Sequence, residues 1–394
     1  MLRLAPRSTH DLSDTALKVL VVDDDGGHLE GLRRALHRDR ARWDITYCTD
    51  ASTPTKLLKK RNIDVVISGL ATGGDDGDLL AVARDLSPAT ARIRLAAGGD
   101  DQLLQSARVA HQVLDVASDM QVVRTAIERL AQSRGELPEE HLRALVNDVE
   151  VLPTPSDTQR QLSEVMSRPD HDLTDVAEVV ETDVALTAEL VRLVNSSYFG
   201  LRKQVEGVRE AVGMLGLDLV EATVASRSAF ANADKLPIDA AKVNRHSQLV
   251  AAVSGFVAAA GGGSKTDRSL AVSVGLLHDI GVLILAQVSP KGADSAAQVL
   301  AFEDIDAERL AFGADRFAIG AHLLDLWAFS PRVPETIREL NRPTREIGAG
   351  TVAWSVRVAH HAIMEHGVGL PSGDDDRPWF ENIEDIEREL LLSD

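Results

Sequence analysis

The chain has 394 residues, 44% of them hydrophobic, which is enough to bury two or three separate cores. Its 42 Lys and Arg residues face 61 Asp and Glu residues, and the resulting formal net charge of -19 repels phosphate backbones and anionic membranes. Nucleic-acid binding is therefore disfavoured. The lone Cys48 suits a reducing compartment, and we find neither an apolar leader nor an uninterrupted apolar run of about 18 residues. These features predict a cytoplasmic protein without a membrane span.

The first part of the chain alternates short apolar runs with amphipathic segments. The apolar runs lie at 19–22, 65–67 and 93–95, and the amphipathic segments lie at 29–36, 52–60 and 78–84. The runs predict strands buried on both faces of a parallel sheet, and the alternation predicts a doubly wound α/β domain. We assign this domain to residues 17–131, after an N-terminal extension at 1–16 and before a polar linker at 132–140.

The second part of the chain, from 141 to 366, has almost no strand signal. Apolar residues recur there every three or four positions, which predicts an all-α domain. Gly261-Gly262-Gly263-Ser264 has the composition of a turn between two helices. Residues 367–394 form an acidic C-terminal tail, and the sequence leaves open whether it is ordered.

Three carboxylates, Asp23, Asp24 and Asp25, follow the first predicted strand. They fall at the carboxyl edge of the sheet, where α/β folds build their sites, and their hard oxygen atoms suit Mg²⁺. The alternative is that they cap the following helix, whose dipole stabilises carboxylates without a metal. Both interpretations remain open at this point.

The segment 18–25, with 64–70, 76–77, 92–100 and 110–114, resembles the receiver domains of bacterial response regulators. The resemblance implies a flavodoxin-like fold. It also implies a degenerate phosphorylation site, because Gly69 stands at the phosphoacceptor aspartate, Ala96 at the switch Ser or Thr, and Val116 at the lysine. A one-residue slip that makes Asp64 a displaced acceptor is a further hypothesis, although strand alternation points its side chain away from the site.

The sequence 275–281 contains the adjacent pair His278-Asp279 inside an apolar stretch, and His246 lies 32 residues before it on another predicted helix. Buried ionisable groups need a partner or a metal. A buried polar network, a metal site without catalysis, and a hydrolytic metal centre are all compatible with this pattern.

Further motifs resemble the HD-related output domain, HDOD, a non-catalytic relative of the HD-GYP cyclic-di-GMP phosphodiesterases. They lie at 151–155, 180–187, 193–200, 211–216, 275–281 and 320–327. The resemblance matches His246, His278 and Asp279 to the first HD metal ligands. It places Arg316 and Leu340-Asn341 where HD-GYP enzymes have histidines, and His360 near their late aspartate. A bound metal is therefore not expected, and the candidate ligands, should one bind, are His246, His278, Asp279 and His360.

The two resemblances imply a non-catalytic bacterial signalling regulator, a pseudo-receiver fused to an HDOD scaffold. We expect a protein partner or a cyclic dinucleotide as its ligand, no required cofactor, and a homodimer formed through the receiver face that follows the fourth strand. The alternative is a metal-dependent HD-type phosphohydrolase acting on a nucleotide, cyclic or not.

Overall fold

The computed structural model describes residues 16–50, 52–60, 63–70, 78–97, 100–149, 151–168, 170–196, 199, 201, 204–226, 236–288, 304–343 and 346–366. Residues 1–15 of the N-terminal extension, the acidic tail, Asp76-Gly77, and residues 98–99, 197–198 and 200 of the sequence motifs lie outside the described residues.

The N-terminal domain is a five-stranded parallel sheet in the order β2-β1-β3-β4-β5, flanked by helices. Its strands are β1 (Leu17–Val22), β2 (Trp43–Cys48), β3 (Val65–Ser68), β4 (Ala91–Ala96) and β5 (Gln112–Asp115). Its helices are α1 (Gly26–Ala35), α2 (Ser52–Lys60), α3 (Leu79–Leu86), α4 (Asp100–Ala107) and α5 (Met120–Glu136). The predicted doubly wound α/β class is confirmed. The strand β2 gives no continuous apolar run because it lies at the sheet edge and is only partly buried.

The C-terminal domain is helical in all of its described elements, as predicted. Its helices are α6 (Glu140–Asn147), α7 (Ser156–Met166), α8 (Leu173–Val180), α9 (Val184–Val194), α10 (Val208–Leu215), α11 (Leu217–Ser226), α12 (Ala240–Ala260), α13 (Lys265–Leu277), α14 (Ile280–Val288), α15 (Ile305–Phe312), α16 (Arg316–Leu326), α17 (Arg332–Glu339) and α18 (Val352–His366). The predicted glycine turn joins α12 to α13, and Ser264 caps α13 through the Asp267 amide.

The stretch Lys265–Val288 is long and apolar enough to cross a bilayer, with a mean hydropathy of 2.0. However, 89% of that apolar window is buried inside the protein. The stretch therefore occupies the position of a core helix, and its apolar composition is explained by packing.

The segment predicted as a linker is partly helical, because α5 continues to Glu136. The side chain of Ser133 is buried, and its Oγ lies 2.7 Å from Nδ1 of His322 on α16. Ser133 therefore pairs across the domain interface, whereas Gln132, Gly135 and Glu136 are exposed.

Asn147, at the end of α6, is buried and joins the two domains. Its backbone oxygen accepts hydrogen bonds from Arg92 Nη2 (2.8 Å) and from His111 Nε2 (2.9 Å). Its side-chain Nδ2 donates to the Ala89 carbonyl (2.8 Å), and its Oδ1 lies 3.3 Å from His322 Nε2. The backbone oxygen of this residue is thus paired with the N-terminal domain, and its side chain is paired with groups of both domains.

The face of the N-terminal domain formed by α4, β5 and α5 packs against the helical domain. The guanidinium of Arg192, on α9, donates to the carbonyl oxygens of Ala107 (2.8 Å) and Ala110. The side chain of Gln112 on β5 donates to the Asp325 carbonyl at 3.4 Å. The surface that we expected to pair two copies of the chain therefore contacts the helical domain of the same chain.

Replacing Asn147 by alanine should lower the free energy of unfolding by about 1–3 kcal/mol, because the Ala89 carbonyl and the His322 ring lose a buried partner. Urea unfolding of the full chain measures this. The matched control is Asp148→Ala, whose exposed side chain should contribute less than about 0.5 kcal/mol. Equal effects from the two variants would show that the interface does not depend on Asn147.

Candidate functional site

Asp23, at the carboxyl edge of β1, is only 3% exposed, and both of its carboxylate oxygens are hydrogen bonded. Its Oδ1 accepts from the Asp25 amide at 2.9 Å, and its Oδ2 lies 2.6 Å from Nδ1 of His28 on α1. Asp25 in turn caps α1 by accepting from the amides of Gly27 and His28. These contacts agree with the alternative in which the carboxylates cap helix α1. The His28 ring lies against Asp23, one of the carboxylates that were candidate Mg²⁺ ligands.

Gly69, in the acceptor position, lies directly beneath the Asp23 carboxylate. A Cβ atom at position 69 would stand 2.2 Å from Asp23 Oδ2 and 2.7 Å from its Cγ, far inside van der Waals contact. Position 69 therefore has no room for an acceptor side chain while Asp23 keeps this conformation. Ala96 ends β4 with only a methyl group, and Val116 follows β5, so neither position supplies a polar group to a phosphoryl oxygen.

Arg94, a buried residue in β4, closes the same edge of the sheet. Its Nη1 donates to the Leu70 carbonyl at 2.6 Å and lies 3.3 Å from Ser68 Oγ, so it contacts both neighbours of Gly69. Its Nη2 forms an ion pair with Asp78. Arg94 was not among the predicted site residues, although a charged residue in a buried strand is a signal that the sequence carries.

Asp64, the hypothetical displaced acceptor, lies at the opposite edge of the sheet from Asp23, just before β3. Its Oδ2 accepts from the Lys18 amide at 2.8 Å, and its Oδ1 forms an ion pair with Arg134 at 2.9 Å. The position of Asp64 therefore does not support the hypothesis that it is a displaced phosphoacceptor.

The helical domain brings His246, His278, Asp279 and His360 together from three elements. His246 lies on α12, His278 is the C-cap of α13 with Asp279 after it, and His360 lies on α18. Gly275 permits the approach of α13 to α12, because a Cβ there would stand 2.7 Å from the Ala251 Cα. The close packing of α13 against α12 thus requires a glycine at position 275.

Three imidazole nitrogens converge at the centre of this cluster, within 4.8 Å of one another. His360 Nδ1 lies 3.1 Å from His246 Nε2 and 3.2 Å from His278 Nε2. Asp279 Oδ2 lies 3.5 Å from His278 Nε2 and 3.8 Å from His246 Nε2. Side chains separated by up to 114 residues in the chain therefore point their polar atoms at one small volume.

The tautomer of His278 is fixed by its second contact. Its Nδ1 lies 2.6 Å from the Gly275 carbonyl, which only accepts, so Nδ1 carries the proton and Nε2 presents a lone pair to the cluster. Burial lowers the pKa of His278 to about 4, so this ring is neutral at neutral pH.

One carboxylate oxygen of Asp279 faces the histidines, and the other faces the Arg316 guanidinium. Its Oδ1 lies 3.2 Å from Arg316 Nη1, and Arg316 is also held by Glu308 through its backbone amide (2.8 Å) and Nε (2.7 Å). Burial alone would raise the pKa of the Asp279 carboxyl, but the neighbouring imidazoles and the guanidinium outweigh it and lower that pKa. The Arg316 guanidinium is a permanent positive charge beside this carboxylate.

The approach of α16 to α14 places Arg316 in this position. A Cβ on Gly281 would stand 1.9 Å from the Arg316 carbonyl oxygen, and one on Gly320 would stand 3.1 Å from the Gly281 nitrogen. Both glycines are therefore needed for the contact between Arg316 and Asp279. The arginine that the sequence placed near the metal centre does reach it.

The three imidazole nitrogens form a group that could hold a metal ion, and Asp279 is not part of that group. Ligand atoms about 2.0–2.1 Å from a tetrahedral zinc ion lie roughly 3.3–3.4 Å from each other, close to the separations between His360 and the two other rings. His278 offers a lone pair, and Asp279 is an ionised carboxylate.

The model of the HDOD domain family matches residues 152–343, a range that includes His246, His278, Asp279 and Arg316. This chain carries an HDOD domain. His360 lies beyond the matched HDOD range, on α18.

Other comparisons are more distant. A protein of Treponema pallidum (strain Nichols), described as uncharacterized, is 25% identical over 204 residues, which are 49% of this chain. The chain spans only 37% of that relative's length. The MmoQ response regulator of Methylococcus capsulatus str. Bath is 23% identical, with a TM-score of 0.50 over 62% of this chain and 98% of that one. A Campylobacter jejuni virulence factor is 22% identical, with a TM-score of 0.47 over 57% and 82%. The similarity to MmoQ shows a shared fold only. In this chain the HDOD domain is joined to a receiver-like α/β domain.

Replacing Gly69 by alanine should lower the free energy of unfolding by about 1–3 kcal/mol, because the new methyl group overlaps the Asp23 carboxylate. Gly31→Ala on α1 is the matched control: nothing lies within 4 Å of its added Cβ, so a loss of stability is not expected. Chemical denaturation of both variants gives the comparison. Full stability of Gly69→Ala would mean that Asp23 moves aside readily and that the pocket is not closed.

Proposed function

We propose that this protein is a non-catalytic bacterial signal-transduction regulator acting in the cytoplasm. Its receiver-like domain does not take a phosphoryl group at the usual position, and its HDOD domain is a scaffold for a protein partner or a nucleotide messenger such as a cyclic dinucleotide. The observation that carries the proposal is the Asp23 carboxylate seated over Gly69, where the acceptor side chain of a receiver belongs.

The contacts of the receiver-like domain support this proposal. The face formed by α4, β5 and α5 is hydrogen bonded to the helical domain through Asn147, Arg192 and His322. A domain held in this way serves as a fixed part of the scaffold. A homodimer remains part of the proposal, through a surface other than this face.

The charge beside the HD remnant also favours a non-catalytic role. A two-metal centre needs a second cation near Asp279, but the Arg316 guanidinium already lies 3.2 Å from the outer oxygen of that carboxylate. A second cation there would face a like charge in a buried environment, which is unfavourable.

Incubation of the full chain with acetyl phosphate and Mg²⁺, followed by intact mass measurement, should show no added mass of about 80 Da, the mass of a phosphoryl group. A response regulator with an intact acceptor aspartate is the positive control under the same conditions. A stoichiometric adduct that survives in Asp64→Asn and is lost in Asp24→Asn would contradict the proposal, because it would place phosphorylation at the carboxyl edge of the sheet.

The second candidate function is a metal-dependent phosphohydrolase acting on a nucleotide, favoured by the convergence of His246, His278, His360 and Asp279. A metal bound there would supply an activated water. We expect no turnover of linear or cyclic dinucleotides by the chain supplied with Mn²⁺ or Zn²⁺. Turnover abolished by His278→Ala but retained by His361→Ala would establish the hydrolase instead.

A further inference from the structure

We infer that the acidic C-terminal tail docks on its own chain, with the apolar side chains of residues 379–390 against an exposed apolar face of α12 and α13. The tail, residues 367–394, lies outside the described residues. A scaffold for partners does not require such a contact, so this docking goes beyond the proposed function.

The solvent side of α12 is apolar, whereas the solvent side of a surface helix is usually polar. Leu249, Ala252 and Phe256 recur there at three- and four-residue intervals, and Phe256 is 50% exposed. Val272 on α13 is 42% exposed and lies beside them, because a Cβ on Gly255 would stand 2.7 Å from the Val272 Cγ2. We call these four apolar side chains the outer face. Adjoining exposed apolar side chains of this kind mark a surface that binds another segment.

The tail carries an apolar stripe of matching length. Its members recur at the spacing of one helix face, with acidic residues at most of the positions between them: Trp379, Ile383, Ile386 and Leu390. This pattern predicts an amphipathic helix, and a helix this short needs an apolar surface to pack against. The stripe would be about 16 Å long at 1.5 Å per residue, which is also the length of α12 from Leu249 to its end.

The direction of α18 determines where the tail begins. His360 on α18 lies 3.1 Å from His246, which is near the beginning of α12. Gly350, just before α18, lies beside Gly261 at the other end of α12, because a Cβ on Gly261 would stand 3.9 Å from the Gly350 Cα. The two helices are therefore antiparallel, and the end of α18 at His366 lies toward the beginning of α12.

The tail is long enough to reach the outer face from this point. Residues 367–378 precede the apolar stripe and span at most about 40 Å when extended. Phe256 lies about 24 Å along α12 from Ala240, the first residue of that helix. Trp379 can therefore lie against Phe256 without any change in the helical domain.

Charge favours the outer face as the docking surface. The tail contains nine Asp or Glu residues and two Arg residues, so most of a protein with a net charge of -19 repels it. In contrast, α12 contains no carboxylate. The exposed Arg245 lies one turn before Leu249, and the exposed Arg268 lies one turn before Val272. The outer face thus combines apolar side chains with positive charges that attract an acidic segment.

Tryptophan fluorescence of the full chain tests the docking. Of the four tryptophans, Trp43, Trp327 and Trp354 are at most 4% exposed, so quenching by acrylamide reports chiefly on Trp379. Its contribution is the difference between the unchanged chain and Trp379→Phe. We expect acrylamide to quench Trp379 several-fold less in the chain than in a free peptide of residues 374–394.

Two double variants of the tail form a matched pair. Ile383→Asp with Ile386→Asp should weaken docking by about 100-fold or more, because burial of each large aliphatic side chain contributes a factor of at least about 10. Trp379 should then be quenched as in the peptide, and the amides of residues 249–260 should exchange faster. Leu391→Asp with Leu392→Asp places the same charges off the stripe and should leave both readouts unchanged.

A second matched pair tests the outer face. Phe256→Glu and Arg268→Glu should each increase the quenching of Trp379, since the first removes the largest apolar contact and the second removes an attracting charge. The control is Leu310→Glu on α15, where Leu310 is 90% exposed and Asp306 lies one turn before it. Far-UV circular dichroism shows that each variant is folded, and Arg268→Glu keeps the apolar packing intact.

Three results would overturn the inference. The first is quenching of Trp379 in the unchanged chain as strong as in the peptide. The second is shielding that the double isoleucine variant or Phe256→Glu leaves intact, or that the controls remove as well. The third is shielding that increases with protein concentration, which would mean that the tail binds a second copy. These readouts involve neither phosphorylation nor turnover, so they are separate from the tests of the regulator and the hydrolase.

Discussion

The burial of Asn147 between the two domains is the interaction on which the arrangement of the chain depends. A buried amide group is costly unless its polar atoms are paired, and the partners of Asn147 are Arg92 on β4, His111 just before β5, His322 on α16 and the carbonyl of Ala89. Separating the domains would leave these groups unpaired in both halves. The receiver-like domain is consequently held by its α4, β5 and α5 face, and a signal cannot use that face without first breaking these bonds.

In both candidate sites, the receiver-like site and the HD site, groups of the protein itself bind to a carboxylate of the site. At the carboxyl edge of the sheet, the Asp23 carboxylate is satisfied by a backbone amide and His28, and it fills the space that an acceptor side chain needs. In the HDOD domain, the Asp279 carboxylate is satisfied on one side by Arg316. In each case a carboxylate typical of the family persists, but groups of the protein itself take up part of its bonding capacity.

Much of the fold could be predicted from the sequence, because apolar runs and helical periodicity report directly on burial. The His246, His278 and Asp279 cluster was likewise visible, since an ionisable pair inside an apolar segment requires partners. The contacts of Arg94 and Asn147 could not be predicted. Each depends on carbonyl oxygens brought near by the tertiary fold, and a carbonyl oxygen has no signature in the sequence. The sequence left open whether the linker is helical, because within 132–136 only Ser133 is buried and the stretch therefore shows no apolar repeat.

We propose that the receiver-like domain is a fixed part of the HDOD scaffold and not a phosphorylation-driven switch. Amide hydrogen exchange of the α4, β5 and α5 segment, measured with and without acetyl phosphate and Mg²⁺, tests this most directly. We expect strong protection of β5 and of the inner face of α5 that does not change on treatment. Faster exchange in this segment on treatment would show that phosphorylation releases the domain, and it would contradict the account.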